Sequence, residues 1–101
     1  MPKFESPFSG NDLNRRLSRD ETLRAVRLAI AAEYEAIQMY EQIATASDDP
    51  VVQLVMASVA REEMIHAGEF LALLKRLSPD EGLAYQEGNA ETVKIMGKVG
   101  K

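Results

Sequence analysis

Two long stretches with the apolar repeat of an α-helix, separated by a very short turn, constrain this chain more than any other feature. The first stretch opens with the capping box SRDE, in which Ser18 precedes Glu21 by three residues, and it runs to about residue 46. The turn reads SDDP, and its proline suits the first position of a second helix, with Asp49 as the N-cap, that runs to about residue 77. A connection this short predicts an antiparallel helical hairpin.

The segments outside the hairpin are shorter and less regular. Residues 1–17 mix prolines, glycine and scattered apolar residues, which predicts an extended, partly mobile arm. SPDE at residues 78–81 repeats the capping pattern and predicts a short third helix that stops at Gly88. A small fourth helix from Asn89 and a loose tail would complete residues 88–101. We therefore expect a single all-α domain in which residues 18–87 form the main unit.

Each long helix carries an apolar stripe whose steps alternate between three and four residues, the spacing of a helix-bundle seam. Ionisable residues interrupt both stripes near the middle, and nowhere else. On the first helix the stripe consists of Leu23, Val26, Ile30, Glu33, Ile37, Tyr40 and Ala44. On the second it consists of Val52, Met56, Val59, Glu63, His66, Phe70, Leu73 and Leu77.

These interruptions lie at a similar distance from the turn, so an antiparallel hairpin would bring Glu33, Glu63 and His66 together. Buried carboxylates resist ionisation, and two of them side by side resist it more. A divalent cation removes both penalties because it supplies the missing positive charge. The sequence therefore predicts a metal site made by these three side chains.

Three ligands are half of a known kind of centre. A carboxylate-bridged two-metal site in a four-helix bundle takes one Glu from each of two helices and a Glu-x-x-His pair from each of the other two. The chain has one such Glu, one such pair and a single histidine. A two-fold dimer would complete both the metal centre and a four-helix bundle, and a lone hairpin of this size is expected to be marginal without it.

Other interpretations of these residues stay open. His66 could be a hydrogen-bonded core histidine, and Glu33 a polar residue that specifies bundle register. Tyr40 could hydrogen-bond the metal carboxylates or simply pack in the core. Glu35 lies off the stripe and reads either as a solvated residue or as part of a route for cations.

The segments AAEYEAIQMYEQIATASDDP and VAREEMIHAGEFLALLKRLSPDE resemble the encapsulated ferritin family. The resemblance covers about residues 20–81. It is carried by Glu-x-Glu-Ala-hydrophobic-x-x-Tyr on the first helix and by Glu-Glu-x-x-His on the second.

This resemblance implies a ferroxidase that oxidises Fe(II) with dioxygen at a di-iron centre shared between two subunits. It implies a ferritin-like four-helix bundle formed by dimers, which assemble into a ring of five and are carried as cytoplasmic cargo inside an encapsulin shell that stores the oxidised iron. It also implies that the iron ligands are Glu33, Glu63 and His66. Tyr40 matches a tyrosine beside the centre, and Glu35 matches an acidic residue linked to metal entry.

Composition narrows the functional classes. A net charge of −4 with a pI near 5.0 argues against a nucleic-acid-binding surface, and no apolar run reaches the ~20 residues of a membrane span. The absence of cysteine excludes Cys-ligated iron or zinc within the chain. That absence weighs against the first alternative function, a rubrerythrin-like peroxidase, which usually carries such an iron. The second alternative is a structural or scaffolding dimer that a bound metal ion stabilises without any catalysis.

Overall fold

The computed structural model describes residues 15–100, and this part of the chain consists of three helices without any strand. Helix α1 spans Arg19–Ala46, α2 spans Pro50–Leu77 and α3 spans Pro79–Val99. The all-α prediction is confirmed, as are the two long helices and their short connection. The predicted N-terminal arm lies mostly in residues 1–14, outside the described residues, and it stays a prediction.

Both long helices begin with the side-chain caps that the sequence predicts. The Ser18 hydroxyl accepts a hydrogen bond from the Glu21 backbone N–H at 3.1 Å, and the Glu21 carboxylate accepts one from the Ser18 N–H at 2.9 Å. At the start of α2, the Asp49 carboxylate accepts a 2.9 Å bond from the N–H of Val51. These bonds satisfy N–H groups that have no partner within the helix, and so they fix where each helix starts.

The open end of the hairpin, away from the turn, holds most of its apolar core. Val26 and Ile30 of α1 pack there around Leu74 of α2, which is only 1% exposed. Partly buried apolar side chains surround this cluster, namely Leu23, Phe70, Leu71 and Leu77. Bulky side chains therefore hold the two helices together at this end.

The most buried line of α2 shares only part of the predicted stripe. It consists of Met56, Ala60, Glu63, Ala67, Phe70, Leu74 and Leu77, again with alternating steps of four and three, and further half-buried residues lie beside it, namely Val52, Val59 and Leu71. Two members of the predicted stripe, His66 and Leu73, are not buried within the hairpin, because both side chains are exposed at the edge of the seam in the single chain. Alanines take the seam positions instead, since a small side chain permits the close approach of two helices.

The C-terminal part forms one helix of 21 residues, which corrects the prediction of two short helices. Gly88 does not end α3, and its backbone does not adopt the left-handed conformation that a helix-terminating glycine needs. Asn89 accordingly lies inside the helix, and the tail predicted to be loose is helical as far as Val99. Ser78 is the N-cap residue as predicted, but its side chain makes no capping hydrogen bond.

Polar contacts from α1 fasten the ends of the other two helices. The Arg19 guanidinium donates to the carbonyl oxygen of Leu77 at 3.1 Å, and so caps the C-terminus of α2. The Arg27 guanidinium binds the Glu81 carboxylate in the first turn of α3, and the Tyr85 hydroxyl donates to the same carboxylate. Beyond this anchor, every described residue from 83 to 100 is exposed.

We expect the contact between α1 and α3 to weaken at acid pH. The hydrogen bond from Arg27, followed by the one from Tyr85, lowers the pKa of Glu81 to about 2. Because the folded pKa lies below the ordinary value of 4.5, the stabilisation is present above pH 4.5 and is lost as the pH falls from there toward 2. Arg27→Met should therefore lower the melting temperature at pH 7, and the difference from the parent should shrink near pH 2.

The control for this comparison is Arg24→Met, which changes an exposed arginine of the same helix for which the described residues show no ion pair. It should leave the melting temperature nearly unchanged at both pH values, as exposed charges usually do. An Arg27→Met effect that stays constant between pH 7 and pH 2 would contradict an electrostatic anchor.

Much apolar surface remains uncovered in the single chain. Among the described residues the exposed large apolar side chains include Tyr34, Met39, Val55, Ile65, Leu73, Leu83, Ile95 and Val99. Within residues 15–100, no helix combines the length and the low polarity that crossing a bilayer requires. Exposed apolar patches of this kind commonly mark contacts with other proteins or with further copies of the same chain.

Candidate metal centre

Glu33, Glu63 and His66 converge midway along the hairpin. Helix α1 supplies Glu33, and α2 supplies the other two from one face because they are three residues apart. His66 Nδ1 lies 3.6 Å from Glu63 Oε1 and 3.9 Å from Glu33 Oε2. One donor atom from each residue lies within 4.8 Å of the other two. The structure thus brings together the three side chains that the stripes single out.

Burial decreases across the cluster, from the carboxylates to the imidazole. The side chains of Glu33 and Glu63 are 16% and 20% exposed, whereas that of His66 is 47% exposed. The Oε2 atom of Glu33 is buried and has no hydrogen-bond partner among residues 15–100. An acceptor in that condition costs free energy, so it calls for a donor or a cation that these residues do not provide.

The neighbouring carboxyl group disfavours ionisation of Glu33. Sharing of a proton with the Glu63 carboxyl group raises the pKa of Glu33 above its ordinary value, and desolvation and the charge of Glu63 act in the same direction. The charge of His66 opposes them. A bound cation would reverse this balance, because it would interact with both carboxylates in their charged form.

The donor set fits a divalent transition metal. Two carboxylates and one imidazole are the ligands that iron and manganese commonly take in proteins. Three protein donors leave coordination positions open for water, a substrate or a second set of ligands. Among residues 15–100, this is the one group of at least three acidic, histidine or cysteine side chains that lies close enough to hold an ion.

The structure does not bring the other two predicted site residues into this cluster. Tyr40 lies half-buried on the α1 seam, and within the described residues no hydrogen bond links it to Glu33 or Glu63. Glu35 is exposed on α1 and does not belong to the group of converging donors. Their roles beside the centre and in metal entry stay predictions.

The sequence stripes missed the two residues that flank Glu63 on the seam, Ala60 and Ala67. They are 2% and 5% exposed, so they are among the most buried side chains of the described chain. The signal was present, because both continue the alternating step of four and three residues through Glu63. Two neighbouring stripes satisfy the same periodicity here, and hydrophobicity alone favours the one that contains Val59 and Leu73 over the one that contains the alanines.

Comparison with known proteins finds relatives whose names agree on a ferritin-like or encapsulin-associated protein. The family model named Rubrerythrin matches residues 25–100. The chain is 41% identical over 80 residues to a ferritin-like-encapsulin shell fusion protein of Pyrococcus furiosus, covering 79% of this chain but only 23% of that protein. It is 30% identical over 97 residues to the encapsulin nanocompartment cargo protein EncC of Myxococcus xanthus, covering 85% of this chain and 75% of that protein.

A solved structure shares the same fold. The crystal structure of the encapsulated ferritin domain from Pyrococcus furiosus superposes with a TM-score of 0.81 at 37% sequence identity. The match covers 90% of this chain and 91% of that one. The agreement therefore extends through α3 and is not limited to the hairpin.

Proposed function

This chain belongs to the rubrerythrin family and is an encapsulated-ferritin-like protein with a ferritin-like helical fold, and from that premise we propose that it oxidises Fe(II) to Fe(III) with dioxygen. The observation that carries the proposal is the buried Oε2 of Glu33 beside Glu63 and His66, for which the described part of the chain offers no hydrogen-bond donor. An ion at this point would satisfy that acceptor and neutralise both carboxylates. The exposed imidazole would give Fe(II) a route from solvent.

Iron is the substrate in this reaction. Two Fe(II) ions give up one electron each, and dioxygen takes both electrons and two protons to form hydrogen peroxide. The chain would hold the ions through Glu33, Glu63 and His66, whose combined negative charge favours Fe(III) over Fe(II). The surrounding apolar seam would limit the approach of water to the carboxylates.

We propose that a second copy completes the centre. Val59, His66 and Leu73 occur at every seventh position, so they lie on one side of α2, and His66 places that side next to Glu33 of α1. We call this side the metal face. Leu73 is 41% exposed there, so the metal face combines uncovered apolar surface with an open ion site. Joining two metal faces about a two-fold axis would pair the halves into a four-helix bundle, with Glu63 of each copy placed to bridge the ions.

The names of two relatives support a proposal of encapsulation. One of them is named as a fusion to an encapsulin shell and another as encapsulin cargo. We propose that this chain likewise works in the cytoplasm inside an encapsulin compartment, where the oxidised iron is stored. Assembly of the dimers into a ring of five is part of the same proposal.

The decisive experiment measures Fe(II) oxidation by the purified protein with either dioxygen or hydrogen peroxide as oxidant, together with iron content and native mass. Oxidation by dioxygen well above the protein-free rate, with one iron per chain and a dimer or a multiple of it, is the expected result. A strong preference for peroxide would favour the rubrerythrin-like alternative. If dimers form only with metal and no Fe(II) is oxidised, the result would favour the alternative of a structural dimer stabilised by a metal ion.

A further inference from the structure

The two alanines that flank Glu63 are conspicuously small for their place in the hairpin. Ala60 precedes Glu63 by three residues and Ala67 follows it by four, so all three lie along one line of the α2 seam. Of the three most buried side chains of α2, the two nearest the metal cluster are these alanines, and the third is Leu74 at the open end. On α2, the fully buried side chains are therefore small beside the cluster and larger at the open end.

Side-chain size at a helix contact sets how far apart the helix axes lie. Packed helices are separated by about 8–10 Å, and small residues at the contact give the lower values. At the open end of the hairpin Val26, Ile30 and Phe70 fill the space between the helices. At the cluster, the buried side chains of Ala60 and Ala67 are small enough to permit a separation at the lower end of this range.

A short separation is what a shared ion requires. Small divalent ions bind oxygen and nitrogen donors at about 2.0–2.2 Å, so two donors of one ion lie at most about 4.4 Å apart. The three donor atoms here lie within 4.8 Å of one another, close to that limit. Since Glu33 stands on α1 and its two partners on α2, any widening of the hairpin at this level moves Glu33 away from them.

We propose that Ala60 and Ala67 are positioning residues, which set the spacing between Glu33 and the Glu63–His66 pair and thereby control the affinity for a divalent ion without contacting it. This role rests on the proposed metal-binding function. It differs from an ordinary core role because the size of the side chain, rather than the stability of the hairpin, would decide how tightly the ion binds.

Three substitutions separate size from stability. Ala67→Val adds two methyl groups at the seam and should widen the contact. Ala67→Gly removes a methyl group, costs about 1 kcal/mol of helix stability and leaves the spacing short. Ala72→Val makes the same chemical change as the first variant at an exposed position of the same helix, so it matches the helix-propensity cost without touching the seam.

The measurement is Mn(II) binding to each metal-free variant, followed by the loss of the electron paramagnetic resonance signal of free Mn(II), with thermal unfolding and native mass recorded in parallel. We expect Ala67→Val to raise the dissociation constant at least ~10-fold, because a displacement of about 1 Å is enough to spoil a preorganised site. Ala67→Gly should melt earlier than the parent yet bind Mn(II) within about threefold of it. Ala72→Val should bind like the parent.

Two results would overturn the positioning role. Unchanged Mn(II) affinity in Ala67→Val would show that spacing is set elsewhere, while the parent's binding would leave the proposed function intact. If the Mn(II) affinities of all three variants follow their melting temperatures, the stability of the hairpin alone determines the affinity. Failure of the parent to bind Mn(II) or Fe(II) would instead count against the proposed function itself. Ala60→Val repeats the test at the second position, with the same expected loss.

Discussion

Replacing His66 by alanine should reduce the initial rate of dioxygen-dependent Fe(II) oxidation by at least ~100-fold. His66 is the only histidine of the chain, so no other imidazole can take its place. Without it, two carboxylates from opposite helices remain, and an ion held by them alone is neither retained nor oriented as tightly. Oxygen consumption after mixing with Fe(II), corrected for the protein-free rate, measures the effect.

A matched variant separates loss of a ligand from loss of charge or of fold. Glu62→Gln removes an exposed carboxylate one turn before His66 and should keep the rate within about threefold of the parent. Circular dichroism should show the same helix content in all three proteins. If folded His66→Ala oxidises Fe(II) as fast as the parent under the same oxygen concentration, the site is not where we place it.

Replacing Glu33 by methionine should make the metal-free protein more stable and the metal-loaded protein less stable than the parent. In the metal-free protein, Glu33 holds a buried acceptor to which no residue between 15 and 100 donates, next to a second carboxylate. An apolar side chain of similar length removes that cost, which we expect to be worth about 1 kcal/mol. With metal at 100 times its dissociation constant the parent gains about 2.7 kcal/mol, and the variant gains little.

The measurement is a pair of thermal melts for each protein at one fixed concentration, with a chelator and with Mn(II). Glu41→Met, which changes an exposed glutamate of the same helix, is the control and should show the parent's response to Mn(II). A metal-free Glu33→Met protein that melts well below the parent would mean that Glu33 stabilises the fold through a contact other than a metal ion. A full Mn(II) response in that variant would exclude Glu33 as a ligand.

The long helices and the cluster were predictable because local signals and periodicity agree there. Ser18 with Glu21, and Asp49 with Pro50, mark helix starts through hydrogen bonds that depend only on neighbouring residues. Glu33 and Glu63 interrupt apolar stripes at the same distance from a tight turn. An antiparallel hairpin has only one way to place such residues, so their meeting follows from the geometry alone.

The exact seam of α2 was not predictable from hydrophobicity, since each seam alanine is preceded by a residue that also suits a seam. Val59 precedes Ala60, and His66 precedes Ala67. Hydrophobicity favours valine over alanine, whereas close helix packing favours alanine, and only the packed pair of helices shows which preference prevails. The imidazole accordingly lies at the edge of the seam rather than in its centre.

The prediction that α3 ends at Gly88 failed for a related reason. Gly88 is a frequent helix terminator, but glycine inside a helix costs only about 1 kcal/mol, which neighbouring residues can offset. The anchoring of α3 by Arg27 and Glu81 also joins residues far apart in sequence, and no local pattern reports it. Long-range polar contacts of this kind depend on how the helices pack, so a local sequence pattern does not predict them.

The half-exposed imidazole also affects how fast a bound ion would exchange with solvent. An ion held partly by a side chain at the protein surface can enter and leave without any opening of the hairpin, so its residence in the isolated chain is brief. Covering that edge with another subunit would lengthen the stay of each ion by blocking its exit. Under the proposed function, such exchange would suit iron that passes through the site as a substrate, whereas a permanent structural ion would be enclosed on every side.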